Sequence, residues 1–107
     1  MIQVLVDKDK EGRYRGFTSK GHAGYSVKGK DIVCAAVSIL IINTINALEA
    51  FSGDEITVTK GNGKLTLKFA GLPNERSVLL MDTMLLGLKG IQREYGKKYL
   101  ILEEKEV

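Results

Sequence analysis

One cysteine and one histidine are all that the 107 residues hold of those two types. A lone cysteine closes no intramolecular disulfide, so the chain is not a small secreted scaffold held by bridges, and a reducing cytoplasm is its expected home. A zinc site takes three or four ligands. One Cys and one His would have to borrow carboxylates at no recognisable spacing, so no metal and no cofactor is expected. The N-terminus opens directly on an alternating pattern, without the basic region and apolar core of a leader, and no apolar run reaches the ~18 residues that span a bilayer. Neither export nor membrane insertion is therefore expected. A strong charge imbalance is missing too: the net charge is +3, which permits weak attraction to RNA or a ribosomal surface without demanding it. Arg13, Arg15, Lys20, Lys28 and Lys30 gather in one stretch, either as a solvated loop face or as a binding patch. Linkers, internal repeats and low-complexity segments are absent.

With 44% hydrophobic and 27% charged residues, the composition is that of a folded globular chain, and the length suits a single domain over residues 1–107. Ile2, Val4 and Val6 alternate with Gln3 and Leu5, and a second extended run covers Tyr14 to Ser19; together they read as a hairpin. Gly21, Gly24 and Gly29 make 21–30 too glycine-rich for a regular element, and the expectation is a mobile loop that closes on a ligand. From Asp31 to about Phe51 runs a helix that is apolar almost all round, which must be covered on more than one side. Gly53 stands where a left-handed residue ends a helix. Residues 55–60 and 64–70 alternate as strands across Gly61-Asn62-Gly63, a hairpin signal. Pro73 and Asn74 open a second helix from about Glu75 to Tyr95, with Val78, Met81, Leu85, Leu88 and Ile91 on its buried face and Gly96 as its stop. Residues 97–102 read as a last strand, and 103–107 as a charged end. The order ββαββαβ implies a two-layer α/β (α+β) sandwich, with both helices on one face of a mixed, mostly antiparallel sheet.

His22 and Cys34 lie twelve positions apart, close enough for one loop to bring them together. A histidine in hydrogen-bond reach is the usual means of making and holding a thiolate near neutral pH. Asp31 reads as the N-cap of the long helix, which puts Cys34 at the third helical position, where the dipole and free amides favour a thiolate and would stabilise an acyl-transfer oxyanion. Ser38 lies one turn on, along the same face, in a supporting role. By itself a cysteine among Ala, Val and Ile is a packing residue, and a lone histidine among glycines is a surface residue; their pairing across one loop is what raises the catalytic reading beside those two. Gly24 to Lys30 matches half of a phosphate loop, but Asp31 stands where Ser or Thr must bind magnesium, which argues against an ATPase.

The run Gly21-His22-Ala23, followed by Gly29-x-Asp31-Ile32-Val33-Cys34-Ala35-Ala36-Val37-Ser38, resembles the signature of the ribosomal-processing cysteine proteases, the Prp family, and the likeness extends over nearly the whole chain. The resemblance implies a bacterial cytoplasmic endopeptidase that removes a short N-terminal extension from large-subunit ribosomal protein twenty-seven. It implies Cys34 as nucleophile, His22 as general base, and Asp31, Ser38, Gly21 and Gly29 as supporting or substrate-binding neighbours. It also implies a homodimer, which suits a helix too apolar for one sheet face to cover. The alternative from the residues alone is a noncatalytic ribosome- or RNA-associated binding module whose cysteine is merely packed.

Overall fold

A computed structural model of the chain describes residues 1–21 and 30–107, with Lys30 and Asp31 as backbone alone. Among these residues five strands and two helices follow one another as β1 (Ile2–Lys8), β2 (Tyr14–Lys20), α1 (Lys30–Ala47), a π-helical turn (Leu48–Ser52), β3 (Ile56–Gly61), β4 (Lys64–Phe69), α2 (Glu75–Tyr95) and β5 (Leu100–Glu106). The strands form one mixed sheet in the order β3-β4-β2-β1-β5, antiparallel except for the β1–β5 pair. Both helices pack on the same sheet face, as the order of elements implied.

The turns are set by a few residues. Between β3 and β4 the chain reverses through Asn62 (φ 53°) and Gly63 (φ 72°), the two consecutive left-handed conformations that a tight hairpin turn of this hand requires. At the β1–β2 reversal the Asp9 carboxylate accepts from the backbone amides of Glu11 (3.0 Å) and Arg13 (2.9 Å) and from Arg13 Nε (2.8 Å). Those bonds, led by the Arg13 amide, hold the Asp9 carboxyl below its ordinary value. The first long helix ends as expected, on Gly53 in the left-handed region (φ 76°), although its last turn widens to π geometry.

A connected set of polar groups joins that end to the start of α2. Asn74 caps α2 by accepting from the Ser77 amide (3.0 Å), and its side-chain amide donates to the Ser52 carbonyl (2.6 Å). Asp54 accepts from the Asn74 amide (2.9 Å) and from the Ser77 hydroxyl. Each orphan amide of the helix start that these groups satisfy is worth about 1 kcal/mol.

The core lies between sheet and helices. Val4, Val6, Phe17, Leu67 and Leu100 from the strands meet Val33, Val37, Ile41 and Leu48 from the first helix and Met81, Met84 and Leu88 from the second. Burial of each such side chain contributes about 1.5–3 kcal/mol. Gly87 lets the helices approach, since a Cβ there would stand 2.8 Å from Leu40 Cδ1; Gly90 has no such neighbour.

The structure revises four expectations. The buried face of α2 is Ser77, Met81, Met84, Leu85 and Leu88, so Val78 is exposed and Ile91 only half-buried; both sit at the margin of the stripe, where one turn of helix drifts off the seam. The last strand begins at Leu100 and runs through the charged residues to Glu106, because parallel pairing with β1 from Ile2–Leu100 to Lys8–Glu106 satisfies its backbone along the whole length. The segment Ile32–Ser52 is long and apolar enough by length and composition to cross a membrane, against the expectation from uninterrupted runs. Ser38, Asn43, Thr44 and Asn46 break the run without lowering its average enough, and the helix packs Val33, Val37 and Ile41 into the core of this domain. Finally, α1 already includes Lys30 and Asp31, so Asp31 lies inside the helix rather than capping it.

Candidate active site

Cys34 is the fifth residue of α1, not the third. In a helix beginning at Lys30, the α-helical ladder offers its amide the Lys30 carbonyl, so the backbone donors expected around the sulfur belong one turn earlier. Cys34 stays in the N-terminal part of the helix, where the dipole favours negative charge. Its residue is only 3% exposed and belongs to the hydrophobic core cluster with Val33, Val37 and Ile41. The cysteine therefore lies in the core between the sheet and the helices.

An open groove of about 310 Å³ lies beside the same helix, beginning one turn beyond Cys34, which is not itself in its lining. One wall is α1, with Ser38 one turn beyond Cys34 and then Ile41 and Ile42; the other is formed by Ser19 and Gly21 at the end of β2 and by the tip of the β3–β4 hairpin, including Gly63 and Leu65. Ser38 is exposed, with its hydroxyl available to a ligand in the groove.

Gly21 fixes how the chain leaves β2. Its φ is +94°, and a Cβ added there would stand 2.2 Å from the Met1 carbonyl oxygen, closer than real atoms approach. Its amide donates to the Gly63 carbonyl (3.2 Å). Only glycine fits a left-handed residue pressed against a neighbouring strand. The residue that follows it is His22.

His22 and Gly29 lie outside the described residues, as does the expected closing loop over 21–30 apart from its two ends. The structure thus brings Gly21 and Ser38 to one groove, sets Cys34 on the helix that walls it, and describes Asp31 by its backbone position alone. The hairpin tip was the part of the groove that the sequence did not reveal. Gly61-Asn62-Gly63 announced the turn, but only the β2–β4 register, with Lys20 opposite Lys64, carries that turn to the side of Gly21.

Proteins similar to this chain include cysteine proteases. The family model described as cysteine protease Prp matches residues 1–100. The ribosomal processing cysteine protease Prp of Staphylococcus aureus is 28% identical over 99 residues, 91% of this chain and 93% of the relative. That of Mycoplasma genitalium is 33% identical over 88 residues, 80% of this chain and 85% of the relative. Among solved structures, the S. aureus ribosomal processing protease Prp in complex with a covalently linked product peptide superposes with a TM-score of 0.87 at 27% identity, covering 98% of this chain and 100% of the other. The same protease in complex with a substrate peptide gives 0.89 at 26% identity, with the same coverage.

Proposed function

The chain belongs to the Prp family of ribosomal processing cysteine proteases, and on that premise we propose that it cleaves the N-terminal extension from the precursor of large-subunit ribosomal protein twenty-seven with a Cys34–His22 dyad, in the bacterial cytoplasm. The observation that carries this reading is the groove: Gly21, which directly precedes His22, and Ser38, one turn beyond Cys34, line the same cleft. The chain is an enzyme, a cysteine protease, so the noncatalytic binding module is set aside.

In the proposed cycle the His22 imidazole takes the Cys34 S–H proton and the thiolate adds to the scissile carbonyl carbon. The tetrahedral intermediate collapses as the C–N bond breaks, and the imidazolium gives its proton to the departing amine. A water then loses a proton to His22, attacks the thioester, and releases the new carboxylate and the free thiol. Ser38 and the apolar edge of Ile42 hold the extension in the groove.

The working form in this reading is a homodimer. Ile32 and Ile39 on α1 and Leu79 and Leu86 on α2 remain exposed, Ile39 at 67% and Leu86 at 71%. The sheet covers only one side of α1, and a second copy related by a twofold axis would cover the other.

The test is incubation of the purified chain with the extended ribosomal protein, followed by mass measurement of the products. One cut that separates the extension, absent with the Cys34→Ala variant, is expected. Intact precursor after hours with the active protein, alongside cleavage of a different ribosomal precursor, would refute this substrate while leaving the protease.

A further inference from the structure

The sheet face opposite the helices is open, and it is basic. Alternation along the strands brings Lys20, Lys64, Lys68 and Lys105 onto it, with Asp7 and Glu103 as its acidic members. Glu103 accepts the Gln3 amide at the sheet edge (3.1 Å), and Asp7 is the register partner of Lys105. Among the described residues three ion pairs form, around Lys8 and Arg13, and none uses any of these four lysines. A shallow groove of about 550 Å³ crosses the face, lined by the four lysines, Asp7 and threonines such as Thr18 and Thr66.

One detail argues for an anionic occupant. Lys20 and Lys64 are direct cross-strand partners, and like charges placed opposite each other weaken a sheet. An anion between them turns that repulsion into attraction. Lys68 lies ~13 Å further along β4, a length that spans several phosphates on a nucleic-acid strand. Among the described residues the face carries no aromatic side chain on which a base would stack, so it suits a duplex backbone rather than unstacked single strands.

We propose that this open face docks the phosphate backbone of double-stranded RNA, holding the protease on ribosomal RNA while the groove on the helix side takes the precursor's extension. The proposal rests on the ribosomal-processing reading for its choice of RNA. Apart from Lys64, which lines both grooves, the residues for the two partners lie on opposite faces of one sheet, so both bind at once.

Fluorescence anisotropy with a labelled duplex RNA of about 20 base pairs tests it, in parallel with cleavage of a free peptide. The expected result is micromolar binding at low salt that weakens on raising the salt, with a log–log slope of about −2 to −3 for three or so phosphates neutralised. Lys68→Glu combined with Lys105→Glu should lose at least tenfold in RNA affinity while cleaving the peptide at the parent rate, and the milder Lys68→Gln with Lys105→Gln should fall between. Poly-glutamate should compete poorly. No binding by the parent chain, undiminished binding by both double variants, equal competition by poly-glutamate, or loss of peptide cleavage with loss of RNA binding would each overturn the proposal. Failure of peptide cleavage by the parent chain would instead fault the protease reading, since that assay holds no RNA.

Discussion

The Gly21 amide donates to the Gly63 carbonyl at 3.2 Å, tying the last residue before His22 to the tip of the β3–β4 hairpin. The residue that directly precedes the proposed general base is thus held by two strands. Gly21→Ala adds a Cβ 2.2 Å from the Met1 carbonyl oxygen at a residue with φ +94°. It should destabilise the fold by about 1–3 kcal/mol and lower kcat/KM about 10²-fold through displacement of the segment that follows. Thermal melts and peptide cleavage measured together check this; unchanged turnover would show that His22 does not depend on this anchor.

Removal of the dyad's members should separate their roles. Cys34→Ala should abolish cleavage and keep the fold, since Ala is a strong helix former. His22→Ala should cost about 10²-fold or more in kcat and slow alkylation of Cys34 near neutral pH. If alkylation stays as fast without the imidazole, the helix end alone activates the thiol.

Ser38 is exposed on the groove wall. Ser38→Leu narrows the groove without touching the core, and KM for the peptide should rise about tenfold, equivalent to ~1.4 kcal/mol, with Cys34 still reactive toward a small alkylating agent. Equal KM values would place the bound peptide elsewhere.

Tyr14 on β2 donates its hydroxyl to the Asp82 carboxylate on α2. Burial of the phenol, and then that bond, push its ionisation well above the ordinary tyrosine range. The folded value lies above the unfolded one, so this contribution to stability is complete below ~pH 10 and is lost as the pH rises beyond it. An ultraviolet titration should show one of the four tyrosines still protonated near pH ~11. Tyr14→Phe should destabilise the fold by about 1–2 kcal/mol and remove that late titration.

For the homodimer, light scattering at micromolar concentration should give twice the chain mass, and Ile39→Asp combined with Leu86→Asp should give a monomer with the helices intact. A monomeric parent chain would contradict the twofold arrangement.

Much of this protein follows from the sequence by itself. Period-two alternation in β1 to β4, the Asn62-Gly63 turn, the Asn74 cap and the glycines at 53 and 96 are local signals, each set by a residue and its near neighbours, and these elements formed where those signals stood. The proposed pairing of His22 with Cys34 likewise comes from the sequence alone, from the twelve positions that separate them, since His22 lies outside the described residues. Tertiary structure decided what no local signal encodes. Strand β5 runs through charged residues because β1 offers it a backbone ladder. Lys20 meets Lys64 because β2 pairs with β4 across more than forty intervening residues, and the same pairing carries Gly63 to Gly21 and closes one wall of the groove. Register between distant strands is a property of the assembled sheet, fixed by which face is buried, and the groove and the basic face exist only once that sheet is formed.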